Sequence, residues 1–339
     1  MTAPISSYVP PEWAPQAAVW VGWPHIRSEW GEAFDGARRE ITAFVQALAQ
    51  TTRVRIACGS RDALTSAENA LSHLIATDRV ELKAVPAGDI WLRDTGPVIG
   101  RNAGVEEAAR FRFNGWGEKF VIPGDTETAS AIAKLEGLPI RTHPFVLEGG
   151  AVEFDGAGRM LTTRQCVLNR NRNPEWTEEL AEGALRAAFG VAQIIWLNDG
   201  LLNDHTDGHI DNIARFIGPG RVICQTPSGA TDPNASQLTD IYETLTEAGL
   251  DVVTIPSPGL ICDESGHPVP ASHMNFLISN RRVFLPVYEA DHSTNATRAL
   301  ALAMPEYDII PLPARHILSG GGAFHYMTQQ VPDSEDVDR

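Results

Sequence analysis

One pattern restricts the folding of this chain more than any other. A short β-branched run, a polar loop, an amphipathic helix and a second β-branched run recur five times within 339 residues. The first copy opens at residues 17–22, places Ile41, Phe44, Val45 and Leu48 on one face of a helix, and closes at 53–57. The other copies open at 110–113, 159–163, 221–224 and 282–285 and close at 139–143, 193–196, 251–255 and 307–310. Helix punctuation falls between them. Asp125 reads as an N-cap and Gly137 as a stop, Pro174 as an opening and Gly190 as a stop. The last two helices run up to Gly249, with Leu238, Ile241, Tyr242 and Leu245 on one face, and to Pro305.

A unit of roughly 50 to 65 residues is too long for stacked helix pairs and too helical for an all-β propeller. The expectation is therefore an α/β protein whose unit is repeated radially in a single domain across 1–339. Its five ββαβ-type repeats fall at approximately 17–90, 91–146, 147–200, 201–256 and 270–330, the first enlarged by a helix near 64–74 and a strand at 80–85. A doubly wound parallel sheet shares the alternation and is the competing architecture. Only the acidic tail, 332–339, reads as solvated.

Composition narrows the partners. No segment has the length of a membrane span, and residues 1–7 carry neither a basic nor an apolar export region, so a cytoplasmic protein is expected. A net charge of -16 disfavours nucleic acid and anionic membranes as partners and suits a small cation. Cys58, Cys166, Cys224 and Cys262 lack metal-knuckle spacing and read as small buried apolar residues.

The chemically dense residues collect between the copies, at 91–97, 147–150, 204–212, 272–275 and 319–330. In a closed ring these connectors bring Asp94, Glu148, His209, Asp211 and Asn275 to one axial site. Asp94 and Asp211 suit a planar guanidinium, whose N–H fork matches carboxylate oxygens pairwise, and Trp91 offers the cation a flat face. His209 is the natural proton carrier, with Glu148 beside it. Two other chemistries compete. Asp207-Gly-His209-Ile-Asp211 has the D-x-H-x-D spacing of paired-metal guanidine hydrolases, but no second aspartate-rich ligand segment accompanies it. His205 and His209 have zinc-protease spacing, but Thr206 stands where the glutamate base belongs. Neither Gly149-Gly150 nor Gly320-Gly321-Gly322 has the context of a phosphate loop.

With these connectors in view, the chain resembles the agmatine deiminase and bacterial peptidyl-arginine deiminase family of guanidine-modifying enzymes. The similarity runs through 20–24, 91–97, 113–119, 147–150, 169–174, 206–212 and 320–330. It implies a five-fold pseudosymmetric α/β propeller of pentein type and a C–N hydrolase of the polyamine route. The implied reaction converts agmatine, a small cationic guanidine, to N-carbamoylputrescine and ammonia without metal or organic cofactor, in a protein that can be a homo-oligomer. It further implies that Asp94 and Asp211 hold the guanidinium, Glu148 orients His209, and His209 shuttles protons; Trp91 and Asn275 complete the substrate site. The family closes on G-G-G-x-x-H-C, whose cysteine attacks the guanidinium carbon to give a covalent thiouronium. Here the motif reads Gly320-Gly-Gly-Ala-Phe-His325-Tyr326, and His273 stands where relatives tend to place tyrosine. Tyr326 is a poor nucleophile, since a phenol with a pKa of about 10 is about 0.1% ionised at neutral pH. Its ring also needs the space of a substrate. An inactive guanidine-binding protein is the alternative reading.

Overall fold

The computed structural model describes residues 9–102 and 104–333. The N-terminal residues 1–8 and most of the acidic tail, 334–339, lie outside the described residues. Pro332 is an exception to the solvated tail: it is buried and ends a strand.

The strands divide into five separate sheets. The first unit gives β1 (Gln16–Gly22), β2 (Arg53–Cys58) and β3 (Val80–Ala84), and the second β4 (Val98–Asn102), β5 (Val105–Arg112) and β6 (Ile140–Val146). The third gives β7 (Glu153–Phe154), β8 (Arg159–Thr163) and β9 (Gln193–Leu197), and the fourth β10 (Ala214–Gly218), β11 (Arg221–Thr226) and β12 (Asp251–Pro256). The fifth gives β13 (Leu277–Ser279), β14 (Arg282–Val287) and β15 (Asp308–Pro313), and β16 (Thr328–Pro332) follows. In the last four units an antiparallel hairpin is followed by a helix and a parallel strand; the ladder from Arg221↔Asp251 to Thr226↔Pro256 is one example. A parallel return needs a crossover of a dozen or more residues, and the amphipathic helix supplies it.

The first unit takes its antiparallel strand from the other end of the chain. β16 pairs with β1, Gln330 opposite Val19, so the two ends of the chain close a ring in one sheet. One continuous doubly wound sheet is thereby excluded, and the fold is the five-fold α/β propeller. The extra helix (Arg61–Ile75) and β3 enlarge the first sheet to four strands.

Apolar faces of sheets and helices bury one another. Ile41, Phe44, Val45 and Leu48 of the helix Phe34–Leu48 are fully buried against Phe284 and Phe324 among others. In the helix Ala235–Glu247, Leu238, Ile241 and Leu245 are buried, whereas Tyr242 is exposed. Two helix starts differ from the sequence reading. Gly124, not Asp125, is the cap residue of Asp125–Leu135; Asp125 is the first helical residue and its carboxylate accepts from Gly88 N instead. Thr177, not Pro174, caps Glu178–Phe189, its side chain accepting from Leu180 N, and Gly190 ends that helix in the left-handed region.

Candidate active site

The connectors meet at the axis. Asp94 lies in a short turn, Leu92–Thr95, that precedes β4; Glu148 and Gly150 precede β7; His209 and Asp211 precede β10. All four polar side chains are buried, Glu148, His209 and Asp211 completely. Gly150 marks their point of convergence. A Cβ there would lie 2.6 Å from His209 Nδ1, 2.9 Å from Asp94 Oδ1 and 3.0 Å from Asp211 Oδ2. No side chain fits, so the glycine is required by close approach.

Asp94 is held from two sides. Gly150 N donates to its Oδ1 at 2.9 Å and Trp116 Nε1 to its Oδ2 at 2.8 Å. Trp116 reaches it from an unusual turn in which Gly115, Trp116, Gly117 and Glu118 all have positive φ. A left-handed turn costs roughly 1–2 kcal/mol per non-glycine residue. Asn114 Oδ1 accepts from Gly117 N, and the Lys119–Asp207 ion pair at 2.7 Å pins the far end.

Glu148 is held mainly by Arg172. Arg172 Nε donates to both its oxygens at 2.9 Å, while the nearest approach to His209 Nε2 is 4.0 Å. Arg172 also reaches Asp207 at 2.7 Å and the Thr206 carbonyl at 2.8 Å, so it ties Glu148 to the connector that carries His209. Both ring nitrogens of His209 lack a hydrogen-bond partner among the described residues; Nδ1 is 3.6 Å from Asp94 Oδ1. Burial, reinforced by Arg172, Lys119 and His325, holds the His209 pKa well below the ordinary histidine range, so the ring is neutral. Burial and the neighbouring Glu148 push Asp94 up to about 7 despite its two donors. Asp211 is raised well above the usual range, first by burial and then by Asp94; its Oδ1 is unpartnered while its Oδ2 lies 2.5 Å from His325 Nδ1.

Asn275 faces the closing turn. Its Oδ1 accepts from Ala323 N at 3.0 Å and Tyr326 N at 3.2 Å, so it holds the glycine-rich closing turn; only Nδ2 remains unpartnered. His273 accepts no such duty. Its backbone N donates to Gln225 and its Nδ1 lies 2.9 Å from the Pro286 carbonyl.

Tyr326 follows His325 at the end of the glycine-rich closing turn. Its ring meets Trp91 edge-on at 6.4 Å and His209 edge-on at 5.7 Å, and Gly322 packs so close to it that a Cβ there would lie 2.2 Å from its Cδ2. The hydroxyl is buried beside Thr206 without a well-formed hydrogen bond, and burial together with Asp204, Asp211 and Asp94 raises its pKa well above the phenol range. In front of the ring is a chamber of about 150 Å³ lined by Asp89, Trp91, Asp94, Trp116, Phe120, His205 and Tyr326 among others. His209, Glu148 and Asp211 do not line it. The tyrosine is therefore a wall between the chamber and the innermost groups. Trp91 stacks on Trp30 at 5.9 Å, and Asp89, which accepts from Trp30 Nε1, is pushed by burial up to about 7. The chamber opens into a cleft of about 1030 Å³ that shares Glu29, His205, Ser319 and Gly321.

The D-x-H-x-D reading fails on geometry. Asp207 turns to Lys119 and Arg172, Asp211 to His325, and His209 to Asp94 and Glu148. The donor atoms of Glu148, Cys166 and His209 do lie within 4.8 Å of one another, which the sequence spacing of Cys166 concealed. The Arg172 guanidinium already satisfies that carboxylate, and burial raises the Cys166 thiol well above its ordinary range. Such a thiol is a weak nucleophile.

A carboxylate set, a neutral imidazole and aromatic walls on a five-fold propeller define the class of guanidine-modifying C–N hydrolases. The comparisons with known proteins agree. The model of the Porphyromonas-type peptidyl-arginine deiminase family matches residues 8–332, and the chain belongs to that family. The agmatine deiminase of Stutzerimonas stutzeri is 35% identical over 96% of this chain and 95% of its own length. The agmatine deiminase of Enterococcus faecalis superimposes with a TM-score of 0.90 at 28% identity, covering 97% of this chain and 96% of that one. A cysteine-to-serine variant of C. jejuni agmatine deiminase, described with substrate bound, does so at 0.89 and 28% identity, covering 96% of each chain.

Proposed function

We propose that this chain binds agmatine at the axial site and that Tyr326 withholds the hydrolysis its relatives are named for. The observation that carries the reading is the contrast at one point: Asp94, His209 and Asp211 converge on Gly150, while a buried phenol stands where a thiolate belongs. In the thiol mechanism a thiolate attacks the guanidinium carbon, ammonia leaves with a proton, and water releases a ureido product. The first step fails here, because the Tyr326 phenol keeps its proton and an aryl ether adduct forms slowly. Recognition does not need that step. The C. jejuni relative is described with substrate bound after its cysteine was replaced, which supports binding without a thiol.

In this reading Trp91, Trp116 and Phe120 give the cation π faces, and Asp89 and Asp94 give it charge. The guanidinium reaches Asp211 and His209 when the Tyr326 ring turns aside. The protein would serve the putrescine-forming branch of polyamine metabolism in the cytoplasm, as an agmatine-holding member of an enzyme family. Titration calorimetry with agmatine tests this. Saturable binding that Asp94→Asn weakens by roughly 2–5 kcal/mol is expected, the range for truncating one partner of a buried charge pair. Unchanged affinity in Asp94→Asn, or no binding to the unaltered chain, removes the reading.

A further inference from the structure

Beneath the site, the N-terminal segment supplies a side chain that no sequence motif points to. Glu12 is buried beside the axis, where its Oε2 lies 2.7 Å from His325 Nε2 and 2.8 Å from Arg215 Nη2, and its Oε1 accepts from Ile278 N at 2.6 Å. On the other side of the same imidazole, His325 Nδ1 lies 2.5 Å from Asp211 Oδ2. One ring thus bridges two carboxylates. At these separations each gap contains a hydrogen-bond proton, so Glu12, His325 and Asp211 share two protons among them.

The position of each proton follows from the neighbours. Burial favours a protonated Glu12, but Arg215, His325 and Arg93 outweigh it and hold the carboxyl below its usual range. The Nε2 proton therefore belongs to His325 and is donated to Glu12. For the second proton, burial disfavours charge on both sides of the gap. It raises Asp211 and lowers His325, so without a ligand the proton rests on Asp211 Oδ2 and Nδ1 accepts it. Asp211 is also faced by Tyr326 from the closing turn, by Asp94 and Arg93 from the first connector, by Arg215 and Glu153, and by His209 across Gly150. Its Oδ1 is buried and without a partner.

We infer that Glu12, His325 and Asp211 form a proton relay that supplies an ionised carboxylate when a cation reaches Asp211 Oδ1, with Glu12 as its positioning residue. A cation at Oδ1 favours the charged form of Asp211. The Asp211 O–H bond breaks, the His325 Nδ1–H bond forms across the 2.5 Å gap, and Glu12 neutralises the new imidazolium through Nε2–H. No proton enters or leaves, and the only charge added to the site is that of the cation. The inference rests on the cation-binding reading above, and its tests separate the two.

Calorimetry with agmatine near pH 8.5, in two buffers of different ionisation enthalpy, counts protons exchanged on binding; at that pH Asp94 and Asp89, whose pKa values are pushed up to about 7, are already ionised. The unaltered chain should exchange almost none. Glu12→Gln, with its fold checked by melting and circular dichroism, should release more protons per agmatine than the unaltered chain, and its affinity should fall more steeply than that of the unaltered chain as pH is lowered. Release of a full proton by the unaltered chain, or a Glu12→Gln variant that matches it, overturns the relay. Nitrogen NMR of histidine-labelled, ligand-free protein provides a second arm that needs no binding. His325 should show an unprotonated, hydrogen-bond-accepting Nδ1; an imidazolium overturns the relay, whereas absent agmatine binding alongside the neutral ring overturns only the recognition reading.

Discussion

Two layers of buried polar groups share the axis of this propeller, and they are finished to different degrees. In the lower layer Arg93 Nη2 and Arg215 Nε and Nη2 lack a well-formed hydrogen bond among the described residues, but each lies against a carboxylate, Arg215 at 2.8 Å from Glu12 and 3.1 Å from Glu153 and Arg93 at 3.7 Å from Glu12. In the upper layer His209 Nδ1 and Nε2, Asp211 Oδ1, Asn275 Nδ2 and the Tyr326 hydroxyl have no hydrogen-bond partner among the described residues. Buried polar atoms without partners cost roughly 1–3 kcal/mol each, so a protein retains them where something else supplies the partner. The lower layer fixes geometry. In the proposed reading the upper layer awaits a cation, with Tyr326 as its front wall.

Breaking the lower layer should have the largest effect. Arg215→Met removes the ion pairs at 2.8 Å to Glu12 and 3.1 Å to Glu153, leaving Glu12 only His325 and the more distant Arg93, and should cost roughly 3–5 kcal/mol of stability, read as a large fall in melting temperature. A small fall would place the axial network outside the framework of the fold. Breaking the upper layer should cost function instead. Asp94→Asn should lose the affinity stated above while the protein melts no lower at neutral pH. Gly150→Ala should weaken agmatine binding by roughly 1–3 kcal/mol, because the new methyl enters the point shared by His209, Asp94 and Asp211. Agmatine affinity unchanged in Gly150→Ala would move the ligand away from that point.

A further effect concerns pH. Burial, aided by Glu148, pushes Asp94 up to about 7, whereas an unfolded aspartate titrates near 4. Between about pH 4 and 7 the unfolded chain releases a proton that the folded chain keeps, so this group lowers stability as pH rises across that window and adds no slope above it. The difference in melting temperature between Asp94→Asn and the unaltered chain should therefore grow in favour of the variant from pH 4 to pH 7. A difference that is flat over that range would contradict the raised carboxyl.

The repeat and its connectors were legible because strand and helix periodicities are local and five copies reinforce one another. The helix starts were less so. At Gly124 tertiary packing decides, with the Asp125 carboxylate drawn to Gly88 rather than to its own helix, whereas Thr177, three residues after Pro174, is a local cap that accepts from Leu180 N. Asp94, His209 and Asp211 could be placed at one site because each stands in a connector. Their partners could not be sorted. Glu148 looked free to orient His209 only because Arg172, 24 residues later, carries no sign of its double hydrogen bond, although the segment that bears it is part of the family resemblance. Trp116 was hidden in the same way within the 113–119 segment. Glu12 had no signal at all, since its partners His325 and Arg215 lie hundreds of residues away.

The most direct test is to restore the thiol. Tyr326→Cys removes the ring between Trp91 and His209, opens the chamber to Asp211 and places a thiol beside a cation that favours its thiolate. Incubated with agmatine, this variant should form ureido product and ammonia at least about a thousandfold faster than the unaltered chain, which should stay at background, and thiol alkylation should abolish the gain. Normal turnover by the unaltered chain after its thiols are alkylated would contradict the account, as would a Tyr326→Cys variant that binds agmatine and remains inert.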